Sequence, residues 1–177
     1  MKNSNYPGMT LLFFTITVLA LVSAVHAQDN PVVERTAAGV DVRIAVVADT
    51  LEVELSAETT GWISIGFDPS RQMADANIII AYVEDGELHI ADDYGIGPMA
   101  HDRDTNHGGS NDIIAATGRQ EGGMTTVNFT IPLDSGDDLD KPLIPGETYL
   151  VLVAHGPDGA DDFTTYHANR GSFEIEL

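Results

Sequence analysis

Met73 and His167 are the side chains of this sequence best suited to hold a soft metal together. Met73 lies in an irregular linker that also carries Pro69, Arg71 and Asp75. His167 lies in Tyr166-His167-Ala168-Asn169-Arg170-Gly171, just before the last apolar run. A thioether and a neutral imidazole on opposite sides of one iron are a known haem ligation, and they raise its reduction potential. Taken singly, each residue has a plainer reading. Methionine fills irregular gaps in cores, and a loop histidine is usually a hydrated surface group. The two are far apart in sequence, so pairing them requires a fold whose loops converge at one end.

A third group is the loop from His101 to Asp112. Asp102, Asp104 and Asn106 have the alternate spacing of a calcium loop, but its sixth position is His107 rather than Gly and its twelfth is Ile113 rather than Glu. A standard calcium hand is therefore disfavoured, and a looser calcium site stays open. His101 and His107 could ligate a transition metal, though no third histidine lies nearby. No Gly-x-Ser-x-Gly elbow, paired-histidine metalloprotease motif or phosphate-cradling glycine loop occurs. The 28 Asp and Glu residues leave a carboxylate pair open. With no cysteine, thiolate zinc, iron–sulfur and covalently attached haem are ruled out, so any haem must be held without covalent bonds.

These residues must be positioned mostly by strands. Ile63, Ile65 and Phe67 alternate with small residues, as in a half-buried strand, and Asn77 to Val83 is apolar on both alternating sets, as in a covered one. Met73 joins the two. Val40 to Val46 and Leu51 to Leu55 form a hairpin pattern, and Glu84-Asp85-Gly86 turns the chain into a second one with Leu88 and Ile90. Residues 28–39 read as a polar lead-in and residues 95–111 as a long loop. Strand character returns at Asp112 to Thr117, turns at Gly118 to Gly123, and resumes at Thr125 to Ile131. Residues 132–148 are rich in Pro and Asp. Tyr149 to Ala154 is a central strand, His155 to Thr165 a second long loop, and Phe173 to Leu177 the closing strand. No helix is expected. The pattern predicts an all-β antiparallel sandwich of about nine to eleven strands.

Residues 1–27 read as a secretory signal: Lys2, an apolar core from Met9 to Val25, and Val25-His26-Ala27 at the cleavage site. An uncleaved segment would instead anchor the chain to a membrane. Residues 28–177 are then one extracytoplasmic domain, whose net charge is 7 − 28 = −21. Such a surface repels nucleic acid and suits a cationic partner.

The order of these pieces resembles the DOMON family of extracytoplasmic β-sandwich domains, which bind haem or sugars. The resemblance rests on Gly61-Trp62-Ile63-Ser64-Ile65-Gly66-Phe67, on Met73-Ala74-Asp75 leading into the Ile78 strand, and on Asp104 and Gly108-Gly109 before Asp112-Ile113. It ends with Tyr166-His167 and Arg170-Gly171. It implies that Met73 and His167 are axial ligands of a b-type haem, within a domain that passes single electrons to or from a separate partner oxidoreductase. Phe67, Ile96, Met99 and Phe163 are the candidates to sheathe the porphyrin. Some members ligate through lysine, for which Lys141 is the candidate. Others lack the methionine and bind carbohydrate, for which Trp62 and Tyr166 could stack on a sugar.

Overall fold

Alternating side chains decide the layering of this chain. In the computed structural model, which describes Met1 and residues 32–177, two antiparallel sheets stack with their apolar faces together. The strands are β1 (Val32–Ala37), β2 (Val40–Val47), β3 (Thr50–Ala57), β4 (Ile63–Phe67), β5 (Asn77–Glu84), β6 (Glu87–Gly97), β7 (Ala100–Arg103), β8 (Ala115–Glu121), β9 (Met124–Pro132), β10 (Thr148–His155) and β11 (Asn169–Glu176). One sheet has the order β1-β2-β3-β9-β8 and the other β11-β10-β4-β5-β6-β7. The predicted sandwich and its strand number are therefore observed. The proposed signal segment and its boundary at residue 28 lie outside the described residues.

The core lies between the sheets. Val40, Val42, Ile44, Leu51, Val53 and Leu55 from one sheet meet Ile63, Ile65, Ile79, Val151 and Val153 from the other. Both expected hairpins form, with Val47 opposite Thr50 and Glu84 opposite Glu87. In the second, Asp85 and Gly86 both adopt positive φ (53° and 81°), the backbone that a two-residue hairpin turn requires.

Four local expectations are corrected. The lead-in at residues 28–39 contains β1, whose polar Glu34, Arg35 and Thr36 suit an edge strand. The stretch 95–111 is not one long loop: β6 runs through Gly97, β7 returns along it, and a short 3-10 turn spans Asp104–Asn106. Gly95 is strand rather than punctuation, because a Cβ there would fall 1.7 Å from the Met73 carbonyl oxygen. Gly118 also continues a strand, and only Gly122 and Gly123 turn the chain. Finally, β4 is buried on both faces rather than half-buried, because further chain covers its outer side.

Ile65 is fully buried at the middle of β4. Ile65→Ala should cost about 2–5 kcal/mol of unfolding free energy, read as a lower urea midpoint at unchanged slope.

Candidate functional site

The linker carrying Met73 is a tight turn pinned to the β6–β7 hairpin. Gln72 and Asp75 both take left-handed φ (56° and 61°), which places Met73 between two sharp backbone reversals. The Met73 N–H donates to the Pro98 carbonyl (3.4 Å), and the Asp75 N–H donates to the Gly95 carbonyl (2.8 Å). The Asp75 carboxylate accepts from Ser70 Oγ and from the Tyr94 hydroxyl, and these hydrogen bonds lower its pKa. Met73 is half-buried. Ile96 and Met99, on the same hairpin, are 47% and 82% exposed.

His167 is delivered by the loop after β10, and Trp62 holds that loop in place. The Trp62 N–H donates to the Ala160 carbonyl (3.1 Å), its carbonyl accepts from the Gly156 N–H (2.8 Å), and its indole Nε1–H donates to the Thr165 carbonyl (3.1 Å). Gly156 admits the ring: a Cβ there would lie 2.6 Å from Nε1. Asp162 collects the amides and hydroxyls of Thr164 and Thr165, which hold its pKa well below the ordinary carboxylate range. The Ala168 N–H then donates to the His155 carbonyl (2.8 Å), and β11 begins. Partial burial first, and the Arg170 charge second, lower the His167 pKa. The ring is therefore neutral at pH 7 and has a lone pair to donate.

The register separates the two candidate ligands. Met73 sits near the end of the sheet where Phe67, Asn77 and Tyr94 align. His167 sits at the other end, where Ile63 aligns with His155 and His155 with Asn169. Across the five residues of β4 this is about 13 Å along the strand direction. The expectation that the two loops converge at one end is thus corrected. They approach the outer face of the β11–β7 sheet from opposite ends. Between them, the outward residues of β4 are only Ser64 and Gly66, since Ile63, Ile65 and Phe67 point into the core. Ile78 and Ile80 of β5 flank this small-residue strip, and Ser64 and Gly66 are themselves buried.

The other candidates disperse. Phe67 packs in the core between the sheets and is not available to an outer ligand. Phe163 lies on the outer face, 4.9 Å from the Tyr82 ring and under the Arg103 guanidinium at 4.6 Å. Lys141 pairs with Asp68 (3.2 Å), at the Met73 end of the sheet. Trp62 is buried by its clamp, whereas Tyr166 is 74% exposed and lies against the His167 ring. His101 Nδ1 meets Asp93 Oδ2 at 2.6 Å, and His107 Nε2 meets Asp102 Oδ2 at 3.0 Å. The two histidines therefore serve different carboxylates. Asp102 also accepts from Asn106, but Asp104 turns inward, where it meets Asp92 and Asp140. Sequence reasoning missed the last two. Asp92 is an acid within a strand pattern, and Asp140 looked like one of an ordinary acidic run.

The DOMON domain family model matches residues 36–156. The chain belongs to the DOMON family. DBH-like monooxygenase protein 1 of mouse is 25% identical over 130 residues, covering 73% of this chain and 21% of that protein. The chain spans about a fifth of the length of the curated relatives it matches. Among solved structures, the cytochrome domain of Myriococcum thermophilum cellobiose dehydrogenase superposes with a TM-score of 0.55 at 10% identity, covering 78% of this chain and 74% of that one. The cytochrome b domain of Coprinopsis cinerea pyranose dehydrogenase gives a TM-score of 0.55 at 10% identity, with 77% and 75% covered. These two neighbours share the sandwich fold. The donor types of this chain, a soft thioether and a neutral imidazole, are chemically suited to an iron porphyrin.

Two outcomes follow. Trp62→Phe keeps the ring and removes one hydrogen bond, so it should cost about 1 kcal/mol and speed amide exchange selectively across residues 160–168. Burial first, and neighbouring carboxylates second, raise Asp92 to about 6, Asp104 to about 7 and Asp140 to about 8. The folded chain then holds protons that the unfolded chain has already lost. In cation-free buffer the melting temperature should fall as pH rises from about 4 to about 8, and Asp140→Asn should flatten that slope.

Proposed function

We propose that this chain is a b-type haem-binding domain for one-electron transfer, with Met73 and His167 as the axial ligands. The observation that carries the reading is their placement at opposite ends of one face, with the small residues Ser64 and Gly66 of β4 between. Ligation from two sides of one atom needs donors that approach from opposite directions. When bound, the iron would supply a reversible one-electron couple.

The chain's own residues set the conditions for that couple. The thioether of Met73 favours the reduced metal and so raises the potential. The neutral His167 ring donates without first losing a proton. With Met73 and His167 both holding the iron, the haem would supply one-electron transfer rather than oxygen chemistry, and the domain would act as an electron carrier. Ile96 and Met99 at one end and Phe163 at the other would limit water. Lys141 is tied to Asp68 rather than free to serve as a ligand.

The cytochrome domains of the structural neighbours support this reading. The monooxygenase activity named for the mouse relative belongs to a protein of which the matched segment is 21%. It bears on this chain as a type of partner rather than as its own reaction. The acidic surface fits a basic redox partner outside the cytoplasm, docked by charge and weakened by salt. Among the described residues no helix is long and apolar enough to cross a membrane. A carbohydrate-binding role is the second reading, favoured by the exposed Tyr166 ring.

The deciding experiment is the visible spectrum of protein purified from haem-sufficient cells, oxidised and then reduced with dithionite. Sharp low-spin bands are expected, and Met73→Ala or His167→Ala should each shift them toward high spin. A colourless protein that takes up no added haemin, yet binds an oligosaccharide through Tyr166, would replace the first reading with the second.

A further inference from the structure

Asp92 of β6, Asp104 of the 3-10 turn and Asp140 of the β9–β10 connection meet inside the sandwich. Each offers a carboxylate oxygen, and these oxygens all lie within 4.8 Å of one another. The three residues are 2%, 0% and 6% exposed. Asp92 Oδ1, both oxygens of Asp104 and Asp140 Oδ1 are buried with no hydrogen-bond partner. Only Asp92 Oδ2 is occupied, by the Asp112 N–H at 2.7 Å. Asp112 and Asp137 add negative charge nearby.

Among the described residues no basic side chain answers these charges. Lys141 follows Asp140 in sequence, yet its ammonium pairs with Asp68 at 3.2 Å. Arg103 precedes Asp104, yet its guanidinium turns to Asp93 (3.6 Å) and to the Phe163 ring. Buried carboxylates without partners are costly, and crowding three of them costs more. The surrounding chain is nevertheless shaped to keep them there. Gly109 closes over the cluster, where a Cβ would lie 2.7 Å from Asp137 Oδ2 and 3.1 Å from Asp104 Cβ.

We infer that Asp92, Asp104 and Asp140 form a buried calcium site that ties β6, the 104–112 loop and the β9–β10 connection together. The donors are all hard oxygens, with neither thiolate nor imidazole, which disfavours zinc and copper. Calcium takes six to eight oxygens at about 2.3–2.6 Å, so two ligands on opposite sides lie about 5 Å apart. The three oxygens, all within 4.8 Å of one another, fit inside that span. Magnesium dehydrates reluctantly and usually keeps several waters, so a closed site of three carboxylates suits calcium better. The site is not the linear calcium loop suggested by Asp102 and Asn106, which bond to each other at 3.0 Å. It takes one residue from each of three distant segments. It is independent of haem, and protein with or without haem serves for the test.

The test uses the full chain, stripped with chelator and then titrated with calcium chloride alone by calorimetry and by thermal unfolding at pH 7.5. One calcium per chain is expected, with a rise in melting temperature of about 5–10 °C at saturation. Asp104→Asn should abolish the calcium heat and the rise, and should melt higher than the calcium-free wild type because it relieves crowded charge. Asp102→Asn, in the same loop but outside the cluster, should keep both responses. Magnesium should give a smaller rise than calcium. Absence of a calcium heat together with equal melting in chelator and in millimolar calcium would overturn the site, and leave protons as what compensates the cluster. A response lost equally in Asp102→Asn and retained in Asp104→Asn would assign it to the exposed loop instead.

Discussion

The positioning of the outer face depends on the seating of Trp62. Its backbone bonds Ala160 and Gly156, its indole bonds Thr165, and Gly156 leaves room for the ring. A loop of this length has no ladder of its own, so its backbone must find partners elsewhere. Trp62 supplies them from the start of the most buried strand. Gly61 is part of the same fit, since a Cβ there would fall 2.1 Å from the Pro157 carbonyl oxygen. The loop therefore packs through Ala160 and Phe163 against Trp62 and Ile80. The same seating fixes where His167 emerges.

The two ends of the outer sheet are stabilised in different ways. At the His167 end the contacts are aromatic: Tyr82 stacks on His89 at 4.7 Å, with Phe163 beside it. At the Met73 end they are polar and strained, with left-handed Gln72 and Asp75 either side of a turn whose Met73 and Asp75 amides donate to the carbonyls of Pro98 and Gly95. Such strain persists only where surrounding structure over-determines it. β6 provides that restraint, and β6 also carries Asp92 on its inward side. One strand thus braces a candidate ligand on one face and a cluster of buried acid on the other.

Charge in this protein serves two purposes. Most of the acidic residues are exposed and set the surface field, which governs solubility and the choice of partner. A few are buried, and their energetics are of a different kind. Asp93 is answered by His101 and Arg103, whereas Asp92, Asp104 and Asp140 have no basic partner among the described residues. Composition alone counts all of these as equal. Only burial distinguishes them.

The sequence by itself determined the sandwich, both hairpins, the strand status of β4 and β5, and the presence of a thioether and an imidazole on loops. Those properties follow from period-two alternation and turn chemistry, which are local. It under-read β1, β7 and the length of β8, because edge strands carry polar or glycine-rich sequence whose pairing depends on a neighbour far along the chain. Tertiary structure alone decided that Phe67 faces inward, that Lys141 is engaged by Asp68, and that Met73 and His167 stand at opposite ends of one face. It also decided that Asp104 turns away from Asp102 to meet Asp92 and Asp140. These are relations between different strands and loops, set by strand register and loop seating, and neither spacing nor composition encodes them.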